Sequence, residues 1–349
     1  MKHCCSYPFT RVTIEINGNV SFCCPAYTDD YFIGNIFEKS FEDIWYGKKA
    51  QEFRKSILDG SYKYCNLDIC GEFDGDWWFD LDTFPDKKLL SHPPFPEIIC
   101  LNYSRSCNVR CKTCRDELYV ENNEDTEKFD AIINKIAYVC KDARYVYLNG
   151  GGELFTSPHF KKLTNLLVKI NPALEFCIHS NGLLFDEKHL KDFGLENNLR
   201  YASISIHAAT KRTYSKIVRG GHWKQLQKNL KYISQLKKQN RIRGISFIFV
   251  LHSLNYKEMP AFVKMANKFG AVALFWRFRN WDSTEMCKNY EKYTCWDPKH
   301  KDYKKFLRVL NKLKKMGGYR FDEEYLRKLQ AQTKDPWWVR LKDIFVGRK

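Results

Sequence analysis

The sequence predicts an α/β protein: a parallel barrel or partial barrel of strand–helix units, preceded by a small cysteine-rich α+β unit. Three observations predict it. From about residue 97, six short apolar runs alternate with stretches of helical periodicity. Those runs are near-continuously apolar, as strands buried on both faces are. Before them, residues 1–80 hold a hairpin signal, one helical stretch and six of the fourteen cysteines.

The elements follow in order. In "RVTIEINGNVSFCC", Asn17-Gly18 is a strong turn signal between two short strands. "SFEDIWYGKKAQEFRKSILDG" reads as a helix, with Ser40 as N-cap, Asp43 three residues on and Gly60 as the stop. Ile44, Trp45, Phe53, Ile57 and Leu58 form its apolar face. Residues 81–96 contain "FPDKKLLSHPPFP", whose four prolines exclude a helix or central strand and mark a linker. The strands are then expected in "EIICLNYS", "RYVYLNG", "ALEFCIHSN", "YASISIHA", "ISFIFVLH" and "AVALFWRF". Helices are expected near 125–140, 157–170 and 186–193, in "TYSKIV" and "KQLQKNLKYISQLKK", and near 256–269. The expected domains are 1–80, a linker at 81–96, a core at 97–280, and a basic, mostly helical extension at 281–349.

Composition narrows the class. The chain has 349 residues, with 58 Lys plus Arg against 41 Asp plus Glu, for a net charge of +17. No apolar run reaches the roughly 20 residues that span a bilayer. The start, "MKHCCSYPFTR", lacks the apolar stretch of a secretory signal. The expectation is a cytoplasmic protein with no membrane contact. Fourteen cysteines in such a chain point to metal or redox chemistry rather than disulfides. The positive charge suits anionic partners such as nucleic acid, phosphorylated small molecules or acidic peptides. Scattered lysines suit a plain solvated surface equally well.

"CNVRCKTC" places Cys107, Cys111 and Cys114 directly after the first α/β strand. In such domains the C-terminal ends of strands carry the chemistry. Structural zinc commonly takes four ligands from two knuckles, and only one trio is present. Cys100 is a possible fourth, but it lies inside the strand run. An iron–sulfur cubane suits closely spaced thiolates, and three ligands leave one iron open.

This trio, inside a repeating strand–helix domain, resembles the radical S-adenosylmethionine (SAM) superfamily. The resemblance covers residues 97 to about 280 and implies a partial (βα)6 TIM-like barrel, a [4Fe–4S] cluster and SAM as cofactors. It also implies reductive cleavage of SAM to a 5′-deoxyadenosyl radical. "LNGGGELF" resembles the family's Gly-Gly-Glu motif, aligning Gly151, Gly152 and Glu153 with the loop that holds the SAM amino group. "HSNG" resembles the Thr-Asn-Gly stretch and places Ser180 and Asn181 near SAM. "SISIHAATKRTYSKIVRGG" resembles the fourth-strand pattern, with Ser205 facing the ribose and Arg219 the SAM carboxylate. Thr113 replaces the aromatic residue common before the third cysteine, so its backbone rather than a ring would meet adenine. His207 and Ala208 replace the usual Asp-Gly, and Leu154 replaces the Pro that often follows the Glu. His207 lies where substrate would; a histidine satisfied at a strand end is the plainer reading.

Residues 4–72 resemble the SPASM/twitch auxiliary-cluster domain, which usually follows the radical SAM domain rather than preceding it. The resemblance implies an auxiliary [4Fe–4S] cluster on Cys5, Cys23, Cys65 and Cys70, with zinc as the competing metal. Cys4 and Cys24 compete with their neighbours. Adjacent residues of a strand point to opposite faces, so only one of each pair should ligate. Cys140 and Cys177, like Cys100, lie in apolar runs and are expected in the core, while Cys287 and Cys295 carry no assignment. Trp276, Arg277, Arg279 and Trp281, at the end of the sixth strand, are expected to line the substrate mouth. His207, Arg277 and Arg279 are the candidate catalytic residues.

The expected reaction is hydrogen abstraction, then oxidation of the substrate radical through the auxiliary cluster. A small anionic molecule or sugar derivative is the expected substrate, since no leader-binding segment precedes the cluster domain. A peptide-modifying maturase is the alternative. An RNA-modifying enzyme and a non-enzymatic zinc-cysteine nucleic-acid binder stand behind it. An electron donor such as flavodoxin or ferredoxin is the expected partner, with nucleic acid left open.

Overall fold

The computed structural model describes residues 3–67, 70, 78–80, 92–102, 104–280 and 283–321. Its strands are β1 (His3–Cys5), β2 (Arg11–Glu15), β3 (Asn19–Ser21), β4 (Gly34–Asn35), β5 (Trp78–Asp80), β6 (Ile98–Asn102), β7 (Arg110–Cys111), β8 (Tyr145–Asn149), β9 (Glu175–Ser180), β10 (Leu199–Ser205), β11 (Val218–Arg219), β12 (Gly244–Leu251), β13 (Val272–Arg277) and β14 (Tyr319–Phe321). The six expected α/β strands are β6, β8, β9, β10, β12 and β13. Two compact units emerge. One takes in the chain up to Cys107, together with Tyr119–His179 and Glu187–Arg200; the other takes in Asn108–Leu118, Ser180–Asp186 and the chain from Tyr201 on.

In the first unit β6, β8 and β9 run parallel, Ile99 facing Val146 and Leu148 facing Ile178. The N-terminal hairpin forms as β2 and β3, turning at Gly18, whose φ is +80°. The sequence did not foretell where it goes. β2 pairs in parallel with β6, Val12 facing Ile99 and Ile14 facing Leu101, so the hairpin extends the α/β sheet. The predicted helix at 40–59 is two helices, Phe41–Trp45 and Lys48–Leu58. Ser40 caps the first, accepting from the Asp43 N–H at 3.1 Å. The break falls at Gly47, where a Cβ would sit 2.3 Å from the Asp43 carbonyl oxygen. Phe22 packs edge-on to Trp45 and Phe53, with ring centroids 5.6 and 5.2 Å apart. Each such ring contributes about 2 kcal/mol on burial. The Trp45 indole N–H donates to the Pro94 carbonyl at 3.1 Å, tying down the described end of the proline-rich segment.

In the second unit β10, β12, β13 and β14 run parallel. β14 was not foreseen: Tyr319 faces Ala273 within a region expected to be mostly helical. Helices Trp223–Lys238, Met259–Lys268 and Tyr303–Leu313 form where the periodicity placed them. Phe249, Phe262 and Phe275 interlock between sheet and helix at 4.8 and 5.4 Å. Among the described residues no helix is long and apolar enough to cross a membrane. Residues 81–91, most of the linker, and 322–349, most of the extension, lie outside the described residues.

Candidate functional site

In the N-terminal segment the cysteines separate by face. Cys5, Cys23, Cys65 and Cys70 all line one cavity, walled by Tyr7, Phe22, Phe53 and Tyr62. Cys4 is not among the lining residues and is buried, with its thiol 3.5 Å from the Ile57 carbonyl oxygen. Cys24 is exposed. Strand alternation produces this sorting at Cys4 and Cys5, which are consecutive residues of β1. Burial pushes the Cys65 thiol up to about 12, with Cys5 and Cys70 adding to the shift. Burial likewise raises Cys23, against the pull of Arg11. Such thiols stay protonated until a metal displaces the proton. A cubane spreads its thiolates over four irons, so its ligands need only ring the cavity. Among the described residues no three such side chains converge on a single metal ion; the four thiols share a cavity wall, an arrangement that a multi-iron cluster would suit better than one ion.

The cavity wall is held from behind by Arg54. Its side chain is buried, donates to the Pro8 and Trp45 carbonyls at 2.8 and 2.6 Å, and lies over the rings of Trp45 and Phe22. Burial lowers its pKa to about 10. No motif or spacing in the sequence points to this arginine.

The trio lies on a loop braced within each unit. In the first unit the Cys107 N–H donates to the Tyr119 carbonyl at 3.2 Å. Gly152 closes against the preceding residues: a Cβ there would sit 2.1 Å from the Ser106 carbonyl oxygen. The Glu153 N–H donates to that same oxygen at 2.7 Å, and the Glu153 carboxylate accepts from the Phe155 N–H at 3.4 Å. Gly151 has room for a Cβ, 3.6 Å from the nearest side-chain atom. The glycine at 152, rather than 151, is thus the one that close backbone approach requires.

In the second unit β7 and β11 form a two-residue ribbon, Cys111 facing Val218 and Arg110 facing Arg219. Arg219 donates to the carbonyls of Arg110 and Arg115, both at 3.0 Å, and to Asp116 at 2.8 Å. Its guanidinium therefore spans the loop that carries Cys111 and Cys114. That bond holds the Asp116 carboxyl below the usual range. The Cys114 N–H returns to the Cys111 carbonyl at 2.9 Å, with Thr113 buried in the turn. Asn181 donates to Asn108 Oδ1 at 2.7 Å, and Ser180 Oγ accepts from the Gly182 N–H at 3.0 Å. Ser205 ends β10 opposite Ile248.

His207 has φ +64°, and its Nδ1 accepts from the Val250 N–H at 3.1 Å. The ring is thus engaged at the strand end, with the neutral proton on Nε2. Trp276, Arg277 and Arg279 lie at the end of β13, with Trp276 40% exposed. Trp281 lies outside the described residues. Cys100, Cys140 and Cys177 are buried, as are Cys287 and Cys295; Cys287 packs with Phe278 and Met286. Glu258 escaped the sequence reading. It collects the Ala209 and Thr210 N–H groups and the Thr210 and Thr213 hydroxyls, fixing the turn after β10.

Residues 101–266 match the sequence profile of the radical SAM superfamily. That stretch is a radical SAM domain. Residues 4–71 match the SPASM iron–sulfur cluster-binding domain, placed ahead of the radical SAM domain. A radical SAM domain implies a [4Fe–4S] cluster and SAM as cofactors, and a SPASM domain implies auxiliary iron–sulfur clusters. Several solved structures are similar in part. Methylornithine synthase aligns at 13% identity over 62% of this chain and 61% of that one, with a TM-score of 0.40. A structure of TYW1 with a lysine-pyruvate adduct bound aligns at 14% over 62% and 71%, TM-score 0.38. Coproporphyrinogen III oxidase from Escherichia coli aligns at 14% over 62% and 52%, TM-score 0.38. Likeness at this level says nothing of substrate. No curated protein matches the sequence.

Proposed function

We propose that this radical SAM protein abstracts a hydrogen atom from a small anionic substrate and completes a two-electron oxidation of it. When bound, the SAM-site cluster supplies the electron that cleaves SAM, and the auxiliary cluster accepts the electron that the substrate radical gives up as it loses a proton. The observation that carries the reading is the gathering of Cys5, Cys23, Cys65 and Cys70 on one cavity, which Cys4 and Cys24 do not line. Four ligands leave no open iron, which suits electron transfer rather than substrate chelation.

The remaining roles fall to the chain's own residues. Cys107, Cys111 and Cys114 are the ligands of the SAM-site cluster, on the loop that Arg219 spans. Gly152 and Glu153 present backbone to the SAM amino group, and Ser180, Asn181 and Ser205 border the nucleoside. Thr113 offers its backbone to adenine. Arg277 and Arg279 bind the substrate anion beside the exposed ring of Trp276. A flavodoxin or ferredoxin is the proposed reductant.

The test is SAM cleavage by the reconstituted protein with three candidate groups: sugar phosphates, short peptides and RNA. Stimulation of deoxyadenosine release by sugar phosphates, with an oxidised product, supports the reading. Stimulation only by peptide or RNA overturns the substrate class.

A further inference from the structure

Glu121 belongs to none of the motifs that carry the family resemblance, yet it sits at the centre of a buried polar network in the first unit. Its side chain is about 5% exposed. One carboxylate oxygen accepts from the hydroxyls of Ser104 and Ser157, the latter at 2.8 Å. The other lies 3.1 Å from His159 Nδ1. Both serines pass the contact on to the backbone. Ser104 Oγ accepts from the Ser106 N–H at 3.1 Å, and Ser157 Oγ accepts from the Phe160 N–H at 3.2 Å, capping helix Pro158–Ile170.

These two serines bracket the site's own contacts. Ser106 is the residue whose carbonyl accepts from Glu153 and lies against Gly152, and it immediately precedes Cys107. Ser157 follows the Gly-Gly-Glu loop by four residues. One carboxylate thus joins the approach to Cys107 to the far end of that loop. The histidine side is equally ordered. Phe129 stacks on His159 at 4.8 Å, and Thr126 Oγ1 lies 3.0 Å from His159 Nε2. Thr126 Oγ1 already donates to the Asn122 carbonyl at 3.1 Å, so its oxygen is left to accept from Nε2. The ring thus sets Nδ1 beside the carboxylate and Nε2 beside the threonine hydroxyl. The carboxylate of Asp125 is the other nearby charge. Among the described residues the second Glu121 oxygen makes no hydrogen bond, so the two serine hydroxyls on the first carry the carboxylate's bonding and the histidine stands beside it as an ion-pair partner.

We infer that Glu121, paired with His159, is a positioning residue for SAM: it fixes the Gly-Gly-Glu loop against the residues leading into Cys107. The inference rests on the radical SAM reading of that loop. Hydrogen bonds to a buried charge are the strong ones, and an amide in place of the carboxylate turns a donor toward donors. Glu121→Gln keeps the shape and removes the charge.

The experiment compares wild type, Glu121→Gln, His159→Gln and the double variant as anaerobically reconstituted holoenzymes. Deoxyadenosine release is followed against SAM concentration, alongside iron content and the electron paramagnetic resonance spectrum of the reduced cluster with and without SAM. The expected result is a rise of about tenfold in the SAM concentration for half-maximal release in each single variant. Iron content stays near that of wild type, and the SAM-induced spectral change is weakened. The double variant is no worse than either single one, as members of one network are. Unchanged SAM dependence in Glu121→Gln, in a wild type that cleaves SAM, overturns the positioning role. So does a loss confined to melting temperature and iron, since that is a purely structural effect. If wild type itself releases no deoxyadenosine, the radical SAM reading has failed instead.

Discussion

The backbone N–H of Glu153 donates to the carbonyl of Ser106 at 2.7 Å, beside a glycine that a methyl group would drive into the same oxygen. Gly152→Ala must therefore push the two segments apart. Overpacking of this kind costs about 1–3 kcal/mol. The expected outcome is a lower melting temperature and deoxyadenosine release reduced at least tenfold. Gly151→Ala, where the nearest side-chain atom is 3.6 Å away, should lose far less. Equal losses in the two variants would remove the close approach as the cause.

The cysteines of the N-terminal segment make a sharper contrast. Alanine at Cys5, Cys23, Cys65 or Cys70 should lower the iron content by about four per chain, the content of one cubane. Alanine at Cys4 or Cys24 should leave it unchanged. Iron and sulfide analysis of the six reconstituted variants checks this, and a dependence on Cys24 instead of Cys23 would reverse the assignment at that pair.

Arg54 is predicted to be structural with a functional consequence. Replacing it by Ala strands the Pro8 and Trp45 carbonyls without their donor and leaves a gap between Trp45 and Phe22. About 3 kcal/mol of stability should go. Because Pro8 and Phe22 also wall the cysteine cavity, iron retention should fall with it. Urea denaturation with iron analysis reads both.

His252 gives a pH dependence. It is fully buried after β12, its Nδ1 accepts from the Leu254 N–H at 3.2 Å, and its Nε2 has no hydrogen-bond partner among the described residues. Burial, helped by His207 and Lys112, lowers its pKa to about 3. An unfolded histidine titrates near 6.5, so at lower pH the unfolded chain takes up a proton that the folded one refuses. Stability is full above about pH 6.5 and falls toward pH 3, by at most ~1.4 kcal/mol per unit. Denaturation curves at about pH 7 and about pH 5 should converge in His252→Gln relative to wild type. Identical pH slopes would mean that another group carries the acid sensitivity.

Much of this was legible in sequence because it depends on period and spacing. The six apolar runs became six parallel strands, and Asn17-Gly18 became a turn with φ +80° at the glycine. What was not legible depends on contacts far apart in the chain. β2 pairs with β6 across more than eighty residues, and nothing in either strand's pattern names its neighbour. The break at Gly47 is a helix interruption that amphipathic spacing runs straight through. Arg219 reads as a ligand-binding arginine, yet its hydrogen bonds go to the loop holding Cys111 and Cys114. Glu121, Arg54 and Glu258 belong to no motif, because a buried charge is identified by its partners rather than by its neighbours in sequence.

The central claim is tested most directly by iron and sulfide content together with deoxyadenosine release, in anaerobically reconstituted protein given dithionite and SAM. About eight irons per chain and deoxyadenosine formation are predicted, from two cubanes of which one keeps an open iron. Cys107→Ala should then abolish deoxyadenosine, while Cys65→Ala should lose iron and retain cleavage. Bound zinc in place of iron, or intact SAM, would contradict the account.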